Sequence, residues 1–306
     1  MLARRSAARR AHCLVASLLA LAILPPAIQA QETRVTRKSV ASRTMETPGQ
    51  PAASFSDPAV AFSAEGLSPE DIEQLEYALL LARGYSARPD GVWDSDEDKA
   101  LARVTRTYRG LEPARLLDWT EMDPDGGLIQ FSNPVTPTNA EMARMLDDLN
   151  VEWERNDWGD RYYEIFDKTI SSPDGLMAAH DPDIDISSQV DHGTLFLMQM
   201  NLGDEDLETW HNWLEENRDA LLGGGTRTVD GTRITSGVVE STGHYHYYMT
   251  RALPGEDGRS RLLSISAAPA NIGRANFMVH GMRDGNTGLP GIPADSPLMD
   301  LLALAP

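Results

Sequence analysis

Two histidines, His244 and His246, stand one residue apart in a run that also holds Tyr245, Tyr247 and Tyr248. Alternation along an extended strand sends both imidazoles to one face, close enough to share a divalent metal. A second group lies upstream: His180, Asp181, Asp183, Asp185, Asp191 and His192. Beside the first it would complete an imidazole and carboxylate site. Apart from it, the aspartates are an acidic loop and the histidines the polar side of an amphipathic strand. The simpler reading assigns no metal and no cofactor, and leaves His244 and His246 as the pair nearest to a metal site. The run Asp94-Ser95-Asp96-Glu97-Asp98 begins like a calcium loop. Lys99, however, occupies the glycine position and Thr105 that of the bidentate glutamate, so this site fails.

Carboxylates and aromatics are mixed further along: Glu152, Glu154, Asp157 and Asp160 among Trp153, Trp158, Tyr162 and Tyr163. Rings stack on sugars and paired carboxylates serve as acid and base, so this segment suits glycoside hydrolysis if two carboxylates reach catalytic separation. An acidic loop with aromatic anchors has the same composition. Lys99, Arg103 and Arg106 fall at i, i+4 and i+7, on one face of a helix and away from its apolar stripe. Such a face can meet the carboxylates of peptide stems on a glycan, and it is also the ordinary solvated side of a surface helix. The sequence lacks Gly-x-Ser-x-Gly, a glycine-rich phosphate loop and His-Glu-x-x-His. No catalytic residue is assigned.

The elements that must position these residues begin at Ser68-Pro69-Glu70-Asp71. A capping serine, a proline at the first helical position and acidic residues in the first turn predict a helix start. Ile72, Leu75 and Leu79 give it an apolar face, and Gly84 a stop. Asp90-Gly91 predicts a turn, with Val92 and Trp93 placed to plug a small core. Ser95, with Asp98 as reciprocal partner, is the expected cap of a second helix whose stripe is Leu101, Val104 and Tyr108. Leu128 to Phe131 reads as a strand. Thr138 and Glu141 have capping-box spacing before a helix with Met142, Met145, Leu146 and Leu149 inward. Strands are expected over 161–170 and 194–200. Leu207, Trp210, Leu214 and Leu221 mark another helix, closed by Gly223 to Gly225. Further strands follow over 233–240, 244–252 and 261–267, the last two a hairpin through Pro254 to Gly258, with one more over 276–282. Hairpins with helices segregated between them predict an α+β domain with a mainly antiparallel sheet. Its order is loosely similar to the sandwich-like fold of the extrinsic lumenal proteins of photosystem II, in topology alone.

The run Leu75-Glu76-Tyr77-Ala78-Leu79, Gly84-Tyr85, Asp90-Gly91-Val92-Trp93, Ala100-Leu101 and Leu111 resembles the small helical peptidoglycan-binding domain of secreted bacterial proteins. The likeness covers residues 66–115, and Gly84-Tyr85 with Asp90-Gly91 is its most specific part. Asp94 stands where that family has glycine, and Val104-Thr105 where it has Phe-Gln. The resemblance implies a small all-α module and peptidoglycan as a partner, with Tyr85, Trp93, Lys99, Arg103 and Arg106 as ligand-binding residues. A helical unit that keeps the fold without the ligand is the alternative it leaves open.

Arg4, Arg5, Arg9 and Arg10 precede the apolar run Leu14 to Leu24, and Ala27-Ile28-Gln29-Ala30 ends in a small residue. That pattern predicts a Sec-type export signal over 1–30, cleaved after Ala30, too short to remain as a membrane span. Cys13, the one cysteine of the sequence, lies within it, so disulfides and thiolate chemistry are not expected in the exported chain. Residues 31–65, rich in Thr, Ser, Pro and Ala, read as a disordered linker. The formal net charge is −19, and residues 118–306 carry twelve basic against thirty-two acidic residues. Such a surface repels phosphates and anionic headgroups, which argues against nucleic acid and membrane partners. The expected organisation is multidomain: signal, linker, helical module over 66–117 and acidic α+β domain over 118–300. The expected role is a periplasmic or secreted, non-enzymatic envelope protein localised near the cell wall. A cell-wall hydrolase and a protein–protein adaptor are the alternatives.

Overall fold

Ser68 and Asp71 close the first helix start reciprocally. In the computed structural model the Ser68 hydroxyl accepts the Asp71 N–H at 3.1 Å, and the Asp71 carboxylate accepts the Ser68 N–H at 3.3 Å. The structure describes residues 55–82, 88–111, 135–173, 177–181, 186–191, 195–220, 224–255 and 258–305, with backbone alone for 177–181 and 186–191. The expected strand at Leu128 to Phe131 lies outside these residues.

Three helices come first: α1 (Pro69–Leu81), α2 (Ser95–Tyr108) and α3 (Asn139–Arg155). Strands β1 (Gly159–Tyr163), β2 (Lys168–Ser172), β3 (Met177–Asp181), β4 (Ile186–Asp191) and β5 (Leu195–Gly203) follow, then α4 (Asp204–Asn217). After β6 (Gly224–Val229), β7 (Thr232–Val238), β8 (Tyr245–Ala252) and β9 (Arg259–Ala267) come α5 (Ile272–His280), β10 (Arg283–Asp284) and α6 (Pro297–Leu302). The described residues of Gly175–Ala275 form one compact unit. Those of Thr36–Asp174 together with Asn276–Pro306 form another.

In the second of these units α1 is buried on every side, from Asp71 and Ile72 through Leu80, with only Glu73 half-buried. Its polar side chains therefore need protein partners. Gln74 donates to the Pro290 carbonyl at 2.9 Å, and Ser296, the cap of α6, donates to Asp71. Asn276 donates to the Leu80 carbonyl at 2.8 Å, and the Tyr77 and Phe277 rings lie 5.4 Å apart. Helix α2 begins one residue earlier than expected. Asp94, not Ser95, is the cap, and Glu97 is its reciprocal partner. The carboxylate accepts more strongly than a hydroxyl, and Asp98 is instead occupied by the Trp93 indole N–H at 2.8 Å. Thr138 and Glu141 form the capping box of α3.

The segment expected as one strand over 161–170 is a hairpin. Tyr163 pairs with Lys168 around a 3-10 turn, and Asp167 takes a left-handed φ of 51°. Strand β10 adds to the far side of β2, giving the antiparallel order β1-β2-β10. Arg283 locks this arrangement. Its guanidinium donates to Asp160 at 2.6 Å, Ser171 at 2.9 Å, the Thr287 carbonyl at 3.0 Å and the Gly281 carbonyl at 3.2 Å. Residues 276–280, expected as strand, belong to helix α5. The short apolar run Phe277-Met278-Val279 suits either period, and the Asn276 and Phe277 contacts just described require the helical one.

In the other unit seven strands form a single antiparallel sheet in the order β3-β4-β5-β9-β8-β7-β6. Helix α4 packs on one of its faces, where Leu207 and Leu214 meet Met198, Met200, Val239, Tyr248 and Leu262. The helix ends at Asn217, short of Leu221, because the chain turns extended at Arg218 and bridges Val239. Of the glycines expected to close it, Gly224 and Gly225 open β6 instead, and Gly223 lies outside the described residues. Gly224 has φ 101°, and a Cβ there would fall 2.2 Å from the Ser236 carbonyl oxygen. Asp181 and Asp191, expected in an acidic loop, lie in β3 and β4, with His180 opposite Ser187, while Asp183, Asp185 and His192 lie outside the described residues.

Arg283→Ala removes four hydrogen bonds at once and strands the Asp160 carboxylate. Breaking a fully buried pair costs about 3–5 kcal/mol. With the Asp160 side chain 31% exposed, the expected loss is nearer 2–3 kcal/mol on that scale, read from urea unfolding followed by tryptophan fluorescence.

Candidate functional site

The turn between α1 and α2 is held from beneath by a carboxylate. Glu76 is fully buried and accepts the backbone N–H groups of Asp90 at 3.1 Å and Gly91 at 2.9 Å. Burial pushes its pKa up to about 7 against the pull of those two hydrogen bonds, and the charges of Asp90 and Glu97 push the same way. Gly91 has φ 74°, and a Cβ there would meet the Pro69 carbonyl oxygen at 2.6 Å. Only glycine fits this close approach of the turn to the first residue of α1.

The ligand-binding residues expected around this turn are dispersed. Trp93 is half-buried, edge-on to Phe62 at 5.7 Å. Val92 is 58% exposed rather than plugging a core. Lys99 pairs with Asp96 at 2.7 Å, Arg106 is half-buried, and Arg103 is buried at 7% exposure. The three cations thus do not share one open face. Glu97, Ala100, Leu101, Arg103, Val104 and Thr105 are all buried, an arc of roughly half the helix circumference at 3.6 residues per turn. That arc is wider than the stripe of Leu101, Val104 and Tyr108 on which the expectation rested. At its end Tyr108 donates to Asp148 of α3 at 2.8 Å, under the guanidinium of Arg144. Tyr85 lies outside the described residues.

The aromatic and acidic segment that begins in the last turn of α3 buries Trp158 and Tyr163 and half-buries Trp153, while Tyr162 is exposed. Trp153 and Trp158 stack at 5.2 Å, and both lie against Phe277, at 5.7 and 5.1 Å. Glu152 accepts the Trp158 indole N–H at 3.1 Å. Asp160 accepts from Arg283 and Ser171 on one oxygen and from the Leu289 N–H on the other. Asp157 takes a left-handed φ of 45°, and Glu154 is exposed. Two of the four carboxylates therefore orient core residues rather than face a sugar.

On the sheet, α4 and β8 bring together histidines and tryptophans. His211 is buried at 1% exposure, its Nδ1 2.7 Å from the Thr235 hydroxyl and its Nε2 2.6 Å from that of Thr250. Neutral imidazole has one donor and one acceptor nitrogen, so a hydroxyl on each side satisfies it. Burial first and the Arg233 charge second lower its pKa to about 4, with Glu215 opposing. His246 lies edge-on to Trp213 at 5.4 Å, with His244 at 6.4 Å, and burial followed by the His244 charge lowers its pKa to about 4. His246 lies within β8 and His244 immediately before it, outside the strand on which the expected alternation rested. His211 and Trp213 escaped sequence reasoning, although His211 sits between Leu207 and Leu214 in the apolar stripe of α4, where a polar residue must find a partner.

No family model, curated protein or solved structure matches this chain. Among the described residues no three His, Cys, Asp or Glu side chains converge to hold a metal, and no helix is long and apolar enough to cross a membrane.

Glu76 and His211, two of the buried titrating groups, give stability slopes of opposite sign. Glu76 has a folded pKa raised from 4.5 to about 7, so its contribution is full below pH 4.5 and lost as pH rises through 7. His211 has a folded pKa lowered from 6.5 to about 4, so its contribution is full above pH 6.5 and lost as pH falls through 4. Glu76→Gln keeps an acceptor for both N–H groups and should flatten the first slope. His211→Gln should reduce the second, leaving the share that His246 contributes through its own lowered pKa, each read from melting temperature against pH.

Proposed function

We propose that the protein is an exported, non-catalytic component of the bacterial cell envelope. In this reading the α1–α2 unit is a small all-α, peptidoglycan-binding-like module that contacts the wall and holds the acidic α+β region near it. The observation that carries it is the Glu76 carboxylate bonded to the Asp90 and Gly91 backbone, under a glycine that no other residue can replace. Asp90-Gly91 belongs to the motif on which the resemblance rests, and its strained, close-packed geometry accounts for that dipeptide in physical terms. Lys99 and Arg106 are the cations of α2 that retain exposure, and exchange of Lys99 from Asp96 to a stem-peptide carboxylate is a surface event of small cost. Arg103 is a packing residue and Trp93 an anchor of the turn.

Two exposed ion pairs worth roughly 0.2–1 kcal/mol each set the expected effect of Lys99→Ala with Arg106→Ala. The intact protein should sediment with purified peptidoglycan sacculi, and the double variant should bind roughly two- to thirtyfold more weakly on that scale, with an unchanged circular dichroism spectrum. Failure of the intact protein to sediment would overturn the proposal.

A further inference from the structure

We infer that residues 286–295 form a strap that opens as one unit between two buried anchors while the elements beneath it stay folded. Arg283, at 7% exposure, fixes one end. Ser296, buried and bonded to Asp71, fixes the other. No helix or strand forms between them, so no ladder ties the segment down. Leu289, Pro290 and Ile292 are half-buried, and every other residue of the strap is exposed. A segment with so little buried apolar surface belongs to the low end of local stability. Its hinge is Gly285, whose φ of 66° suits glycine and where a Cβ would meet nothing within 4 Å.

What closes the strap is a set of side chains that bond its main chain. The Thr169 hydroxyl donates to the Gly285 carbonyl at 2.5 Å and accepts the Thr287 N–H at 3.2 Å. Arg283 Nε donates to the Thr287 carbonyl at 3.0 Å. Asp160 Oδ2 accepts the Leu289 N–H at 3.0 Å, and Gln74 Nε2 donates to the Pro290 carbonyl at 2.9 Å. The chain passes so near the clasp that a Cβ at Gly288 would come to 3.3 Å from Asp160 Oδ2. The bonded groups at 287, 289 and 290 lie within four residues, and Pro290 fixes its own φ. Lifting one therefore lifts the others. Opening bares the Asp160 oxygen and the Arg283 and Gln74 donors to water, which replaces the lost bonds at small net cost. This device does not depend on wall binding.

Amide hydrogen exchange of the full chain, resolved to single residues, tests it with two variants that touch different bonds. Asp160→Asn keeps an oxygen for Arg283 and Ser171 and turns an N–H toward that of Leu289. Thr169→Val removes the bonds to Gly285 and Thr287 and leaves Asp160 intact. In each variant the Thr287 and Leu289 amides should exchange faster together, by roughly ten- to hundredfold for loss of the charged acceptor. The amides that pair β1 with β2 should keep their protection. The proposal is overturned if each variant speeds only the amide it touches, or if neither amide responds. It is equally overturned if the β1 and β2 amides lose protection in step with the strap.

Discussion

Beyond its exposed first turn α1 has little water to satisfy its polar side chains, and it carries five there: Asp71, half-buried Glu73, Gln74, Glu76 and Tyr77. Each must reach a protein partner, because a buried group left unmade costs about 1–3 kcal/mol. Asp71 reaches Ser68 and Ser296, Gln74 the Pro290 carbonyl, and Glu76 the amides of Asp90 and Gly91. Tyr77 donates to Glu73, whose pKa burial raises. These partners lie at both ends of the described chain. The burial of one helix therefore dictates where the α1–α2 turn, residue 290 and the cap of α6 must sit.

The sheet unit answers the same constraint in another way. His211 enters an apolar interface between α4 and the sheet, yet it meets a threonine hydroxyl on each nitrogen, one from β7 and one from β8. The Thr235 hydroxyl in turn lies 2.8 Å from that of Thr226 on β6. The chain of small hydroxyls spans three neighbouring strands, so the helix reads their register. A slip of β7 by one residue would turn Thr235 to the opposite face and strand the imidazole. Specificity of pairing comes here from a polar triad inside a core of Met, Leu and Tyr.

The residues whose types suggested chemistry mostly build the interior. Asp160 looked like a catalytic carboxylate because it sits among aromatics, and it is instead the anchor of Arg283. Trp153 and Trp158 looked like a sugar platform, and they stack on Phe277. Arg103 looked like one member of a basic face, and it lies inside. In each case spacing along one element was right and the neighbour was unknown. His244 and His246 differ because they are neighbours along the chain, and the partner of His244, Thr242, is two residues away.

Local signals were legible wherever a single turn or period contains the physics. The caps at Ser68 and Thr138, the stripe of α4 and the β8–β9 hairpin depend on residues within a few positions of one another, and all were readable in the sequence. The Asp230-Gly231 dipeptide, whose positive φ values of 47° and 73° close the β6–β7 hairpin, is an equally local signal that the sequence reading passed over, and β6 went unread with it. What remained hidden are features decided by distant neighbours. The helix at 272–280 depends on α1, the end of α4 depends on a bridge from Arg218 to Val239, and the burial of Arg103 depends on which arc of α2 the fold covers. Hydrogen bonds and apolar periods along the chain are local, whereas burial belongs to the assembled fold. The amino-acid sequence therefore settled most of the segments that coil or extend, 272–280 and β6 excepted, and tertiary packing alone decided which charged and aromatic side chains would meet water.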